Sequence, residues 1–209
     1  MSNFSERKQG TALLFGGTFA PPHCGHVNAV KTAAEHLHPD SVIIMPTATP
    51  PHKVRDSVDT PEVRLEMCRA AFGEIPGCHV SSFEIDKGGV SYTVDTLEYL
   101  RTEYDKIYLL CGSDMLMTLD RWYRSERIFE LASVVCMPRY DDDIASLLEK
   151  KKAYEENFSA EVAVIESDIL VMSSTEVRRK IASGESLEGI LPEGVVRIIK
   201  RDGLYGGEI

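Results

Sequence analysis

At 209 residues the chain is about one domain with a small lobe to spare. With 43% apolar and 27% charged residues it falls outside the disordered, collagen-like and coiled-coil classes. Its 23 Lys plus Arg face 33 Asp plus Glu, a net charge of −10 that repels nucleic acid and anionic membranes, so a polyanionic ligand needs a local concentration of donors.

In chain order, strands are predicted at Ala12 to Phe15, Val42 to Met45, His79 to Phe83, Ile107 to Cys111, Val134 to Met137 and Val162 to Ile165. Between and after them, helical periodicity marks Gly25 to His36, Pro61 to Phe72, Thr93 to Tyr104, Ser125 to Leu131, Asp143 to Phe158, Thr175 to Ser183 and Glu193 to Lys200. Thr60 before Pro61 is a helix start, and Gly184 a helix stop. Two polar stretches read as loops: Pro46 to Thr60, long enough to suggest function, and the acidic Arg139 to Asp143. Alternating strands and helices imply an α/β fold, a mostly parallel sheet of about six strands covered on both faces, with ligands beyond the carboxyl ends of the strands.

The cysteines, Cys24, Cys68, Cys78, Cys111 and Cys136, are odd in number and lack a C-x-x-C pair, so they read as reduced thiols and not as a disulfide framework or a zinc site. The first ten residues carry no apolar signal-peptide region, and no apolar run approaches the roughly 18 residues that span a bilayer. A cytoplasmic protein without membrane or nucleic-acid partners is expected. No heptad or unpaired apolar stripe indicates an oligomeric state.

Directly after the first strand comes G-G-T-F-A-P-P-H-C-G-H, residues 16 to 26. Gly16 and Gly17 permit a tight turn and close backbone approach, while His23 and His26, three apart at a helix start, point the same way. Added to unpaired N–H groups at that start, they make a candidate phosphate cradle; a plain Gly-Pro turn with two surface histidines is the alternative. No Gly-Lys-Ser/Thr follows, and G-x-G-x-x-G is missing, so neither standard nucleotide loop applies. Near the other end, M-S-S-T-E-V-R-R at 172 to 179 has Ser173 and Glu176 spaced as a capping box, which alone could account for the hydroxyls. It leaves Arg178 beside Ser173, Ser174 and Thr175 as a second anion-binding group.

Together these segments resemble the HxGH nucleotidyltransferase family, and within it the bacterial nicotinate-nucleotide adenylyltransferases. Gly16 to His26 is similar to that family's G-G-T-F-D-P-x-H-x-G-H signature and Ser173 to Arg178 to its S-S-T-x-I/V-R signature. Pro51-His52-Lys53, Ser91 to Leu97, and Gly112-Ser113-Asp114 followed by Trp122 match in the same order. The resemblance implies a Rossmann-like, doubly wound single domain over residues 1 to 209, with a C-terminal helical subregion from about 173. It implies transfer of AMP from ATP to nicotinate mononucleotide in NAD biosynthesis, with Mg2+ bound mainly through the ATP phosphates and no dedicated metal ligands. His26, His23 and Arg178 would be catalytic. Gly16, Gly17, Thr18, Phe19, Gly112, Asp114, Ser173, Ser174 and Thr175 would join them around ATP, and Lys53, Tyr92, Thr93 and Trp122 would hold the acceptor. Tyr92 and Thr93 open a helix whose N–H groups suit a carboxylate, and Trp122, the single tryptophan, suits a pyridinium ring. Nicotinamide mononucleotide, another phosphate acceptor such as phosphopantetheine, and a non-catalytic nucleotide-binding regulator are the competing readings.

Two positions carry separate expectations. Ala20 stands where the family signature has Asp, which removes a carboxylate beside the phosphates; the remaining donors are expected to suffice for turnover. Cys24, at a helix N-terminus between the histidines, is expected to be either a reactive thiol of lowered pKa or an inert buried one.

Overall fold

A computed structural model of the chain describes residues 10–49, 59–138, 143–165 and 172–206. The elements run β1 (Thr11–Gly17), α1 (Cys24–Leu37), β2 (Ser41–Pro46), α2 (Pro61–Phe72), β3 (Cys78–Val80), α3 (Phe83–Lys87) and α4 (Thr93–Leu100). They continue with β4 (Lys106–Gly112), α5 (Ser113–Leu116), α6 (Ser125–Leu131), β5 (Ser133–Met137), α7 (Ile144–Phe158), β6 (Val162–Val164), α8 (Ser174–Ala182) and α9 (Glu193–Asp202). Short 3-10 turns lie at Leu119–Arg121 and Leu204–Gly206.

The strands form one six-stranded sheet, ordered β3-β2-β1-β4-β5-β6, and every neighbouring pair is parallel. The period-2 pleat sorts the apolar runs between the two faces. Ala12, Leu14, Ile43, Met45, Leu109, Cys111, Val134 and Cys136 point to the side covered by α4, α6 and α7. Leu13, Phe15, Val42, Ile44, Leu110, Val135 and Met137 point to the side covered by α1 and α2. A third cluster joins Met67 of α2 to Val177, Ile181, Val195, Ile198 and Ile199 of α8 and α9, so the C-terminal helices dock on α2 rather than on the sheet. This is the Rossmann-like, doubly wound arrangement expected, and its strand order reverses between β1 and β4, which opens a crevice at their carboxyl ends.

The helix starts are chemically explicit. Thr60 accepts from the Val63 N–H, Asp143 from Ala145 and Ser146, and Ser173 from Glu176. Asp143 and Ser174 thus move across the predicted boundaries: the first is the cap of α7, the second the first residue of α8. Two expectations need larger correction. The strand expected at His79 to Phe83 ends at Val80, because Ser81 Oγ accepts from the Phe83 N–H and turns the chain into α3. The helix expected to reach Tyr104 stops at Leu100, where the N–H groups of Thr102 and Glu103 bond three residues back, to Tyr99 and Leu100, and form a tighter turn. Most of the Pro46 to Thr60 loop, with Lys53, and most of Arg139 to Asp143 lie outside the described residues.

Candidate active site

The crevice holds a cavity of about 550 Å³, within the size range of small-molecule sites. The carboxyl ends of β1 and β4 form its floor, at Gly16, Gly17, Cys111 and Gly112. Fifteen of the sixteen residues singled out from the sequence line it; the sixteenth, Lys53, lies outside the described residues.

After Gly17 the chain folds back so that Phe19, at φ 50°, drives its ring into the core. A Cβ on Gly17 would stand 3.2 Å from that ring, so a larger residue there would displace it. The Phe19 ring meets Phe15, Phe72 and His26 edge-on, at 5.4, 5.7 and 5.2 Å between centroids. Phe19 thus acts as a plug that braces an imidazole, and it is only 3% exposed.

His23 is the N-cap of α1 and His26 its third residue. The His23 N–H donates to His26 Nδ1 at 3.2 Å and the His26 N–H donates to His23 Nδ1 at 3.3 Å, a reciprocal capping box made of two imidazoles. Their rings stack at 3.6 Å. Because each Nδ1 accepts from an amide, each neutral ring carries its proton on Nε2, which fixes both as Nε2–H donors.

Across the cavity, α8 pins the same loop. Arg178 Nη1 donates to the Ala20 carbonyl at 2.7 Å, its Nη2 donates to Thr175 Oγ1 at 3.1 Å, and Ser174 Oγ donates to the Pro21 carbonyl at 3.1 Å. The Gly17 carbonyl accepts from Thr47. Segments some 150 residues apart thereby form one wall rich in donors, with no carboxylate at position 20 to neutralise Arg178.

The opposite end is built by α4, Trp122 and neighbours. No side chain among the described residues caps α4 at Tyr92, and that start, with Thr93, borders the cavity. Trp122 is half-buried, its body packed on the core, while the ring of exposed Tyr123 lies tilted against Tyr92 at 4.6 Å. Asp114 stands exposed on the first turn of α5.

Three polar wall residues lie outside every motif read from the sequence. Glu84 is buried; Thr96 Oγ1 donates to its Oε1 at 2.6 Å, and Oε2 has no hydrogen-bond partner among the described residues. Burial pushes its carboxyl above the ordinary range, and the Thr96 and Ser91 hydroxyls pull it partly back. Tyr123 and Thr47 are the other two. Cys24 is half-buried, and burial raises its thiol pKa more than the backbone hydrogen bond lowers it, the direction opposite to that of an activated thiol.

Residues 14–180 match the family described as Cytidylyltransferase-like. The chain belongs to that family. A protein of Clostridium tetani named "Probable nicotinate-nucleotide adenylyltransferase" is 34% identical over 92% of this chain and 97% of its own length. A Caldicellulosiruptor saccharolyticus protein of the same name is 35% identical, again over 92% and 97%. Among solved structures, the nicotinic acid mononucleotide adenylyltransferase of Plasmodium falciparum complexed with APC superimposes with a TM-score of 0.72 at 15% identity, covering 94% of this chain and 97% of that one. The same enzyme complexed with NaAD gives 0.70. At that identity the likeness is one of fold, and family membership rests on the sequence matches. No helix among the described residues is long and apolar enough to cross a membrane.

Proposed function

We propose that the chain is a nicotinate-nucleotide adenylyltransferase: it transfers AMP from ATP to nicotinate mononucleotide, giving nicotinate adenine dinucleotide and pyrophosphate. The observation that carries this reading is a single cavity with two chemically different ends. One end is walled by His23, His26, Ser174, Thr175 and Arg178; the other by an uncapped helix start and Trp122. The names of the relatives support the same activity.

In the reaction, an oxygen of the acceptor's phosphate forms a bond to the α-phosphorus of ATP. The bond from that phosphorus to the bridging oxygen breaks, and its electron pair leaves on pyrophosphate. The attacking oxygen is already ionised, so the protein needs no general base; it holds the two phosphates in line and offsets the growing charge. His26 and His23 donate from Nε2 to the phosphate being transferred, and Arg178 with the hydroxyls of α8 holds the departing end. Gly16, Gly17, Thr18, Gly112 and Asp114 border the nucleotide, while the backbone of Tyr92 and Thr93 takes the nicotinate carboxylate and Trp122 its ring. Lys53 remains a candidate for the acceptor's phosphate.

The donor set fits Mg2+ only as a passenger of the nucleotide. Among the described residues no group of three or more His, Cys, Asp or Glu could hold a metal ion, and imidazole, hydroxyl and guanidinium donors match phosphate oxygens instead. When bound with ATP, the ion would supply charge neutralisation for the leaving pyrophosphate, beside the phosphate-holding donors Arg178, Ser174 and Thr175. A cytoplasmic setting suits five cysteines that are all free.

The deciding experiment is pyrophosphate release with ATP and Mg2+, comparing nicotinate mononucleotide with the nicotinamide analogue. A rate at least about 100-fold higher with the acid, some 2.7 kcal/mol, is expected. Comparable rates would defeat the carboxylate assignment at Tyr92 and Thr93. ATP binding with no release on either acceptor would favour the regulator.

A further inference from the structure

Arg64, on α2, is wholly buried, yet its charge is used on backbone at two separate places. Nη1 donates to the Thr18 carbonyl at 2.7 Å, inside the Gly-rich loop, and Nη2 donates to the Ala48 carbonyl at 3.1 Å, just beyond β2. The Ala48 N–H in turn donates to Ser91 Oγ at 3.1 Å, and the Ser91 N–H donates to the Thr49 carbonyl at 3.0 Å. Ser91 immediately precedes Tyr92 and Thr93. One guanidinium therefore ties the loop at the phosphate end of the cavity to the segment that opens its acceptor end.

Behind it stands a buried brace. Asp59 Oδ1 lies 4.0 Å from Arg64 Nε, with both side chains fully buried, and Asp59 Oδ2 accepts from the Tyr205 hydroxyl. Tyr205 holds φ 63° in the final 3-10 turn, so the brace reaches from α2 to the chain's C-terminal end. Burying such a pair is expensive, and apolar side chains of the same volume commonly serve stability as well or better. A planar fork serving two carbonyls in fixed directions is what an apolar side chain or a lysine cannot reproduce.

We propose that Arg64, braced by Asp59 and Tyr205, is a positioning residue that sets the distance between the two substrates. The inference rests on the adenylyl-transfer reading above. In-line transfer between two bound phosphates is sensitive to misplacement by about 1 Å, which can cost on the order of 100-fold in rate. Arg64 touches neither reactant; it acts through Thr18, Ala48 and Ser91.

The test uses the full chain as wild type, Arg64→Lys and Tyr205→Phe. Steady-state kinetics are measured with both substrates, and amide exchange is followed at Thr18–Phe19, Ala48–Thr49 and Ser91–Tyr92. Arg64→Lys is expected to lower kcat at least about 30-fold while each KM stays within about threefold, and to speed exchange in all three segments by tenfold or more while β1 and β4 keep their protection. Wild-type kcat, or unchanged exchange in the three segments, would overturn the proposal; so would uniformly faster exchange, the mark of a residue that only stabilises the fold. If Arg64→Lys does not fold, Tyr205→Phe decides. It keeps the guanidinium and removes one donor to Asp59, so a kcat loss of about three- to tenfold with the same local exchange pattern is expected, and no change in either would overturn the proposal. A wild type inactive on both acceptors would sink the functional reading, while the exchange comparison would still judge Arg64.

Discussion

His23 and His26 cap each other: each backbone N–H is bonded to the other's Nδ1, at 3.2 and 3.3 Å, so the stability of the helix start and the chemistry proposed for it share the same two rings. The two roles separate by substitution. Gln is a natural partner at the third position of a capping box, whereas Ala is not. His26→Gln is expected to unfold near the wild-type temperature yet turn over about 100- to 1,000-fold more slowly, because its flexible amide replaces the ring that, stacked on His23, aims the Nε2–H. His26→Ala is expected to lose a similar factor and about 1 kcal/mol of stability as well. Thermal unfolding and pyrophosphate release on the same samples check this; a fully active Gln variant would remove the imidazole from the mechanism.

At position 20, the backbone carbonyl already occupies one arm of Arg178, and the side chain is buried. Ala20→Asp is therefore expected to change kcat by less than about tenfold. A gain of about 100-fold, or 2.7 kcal/mol of barrier, would show that the donors present are insufficient without a carboxylate.

Trp122 borders the cavity while its body packs on the core. A cation–π contact of about 1–2 kcal/mol predicts that Trp122→Ala raises the acceptor KM by roughly 5- to 30-fold and leaves the ATP KM within twofold. Trp122→Phe, which keeps an aromatic face, is expected to recover most of the loss. An effect confined to ATP would place the ring elsewhere in the site.

Glu84 gives stability a pH dependence with a definite sign. Its carboxyl, ordinarily near 4.5, is raised by burial in the folded chain, so between the two values the folded protein holds a proton that the unfolded chain has released. Glu84 costs nothing below that window, and its penalty grows as pH rises through it. The unfolding free energy of Glu84→Gln minus that of wild type is expected to be more positive at pH 8 than at pH 4, measured by denaturant titration at both. A flat or inverted difference would mean that the carboxylate is solvated or paired in the folded state.

Much of this architecture is legible in the amino-acid order because its signals are local. Runs such as Ala12 to Phe15 and Val134 to Met137 are apolar on both faces, as buried parallel strands must be. Thr60-Pro61 and Ser173 announce their helices through side chains that cap a turn. The paired motifs at 16–26 and 172–179 were readable for the same reason: each is a compact turn with its donors built in. What could not be read was long-range. Arg64 stands four residues from Cys68 and three from Met67, an ordinary helical face, and nothing in that spacing says its guanidinium will be buried against Thr18 and Ala48. Glu84 was hidden because Ser81 ends the β-run early, through a side-chain bond that no periodicity registers.

The bonds from Ser174 to Pro21 and from Arg178 to Ala20 span 153 and 158 positions of the chain. On the ribosome, which adds roughly 5–20 residues per second, β1 to β6 are all made before α8 appears. A nascent chain can therefore assemble its whole sheet while the loop after β1 still lacks the clamp that holds Ala20 and Pro21. The clamp arrives late, in a step lasting a few seconds, and a chain released short of residue 174 would lack both it and the apolar cluster that α8 and α9 build on α2.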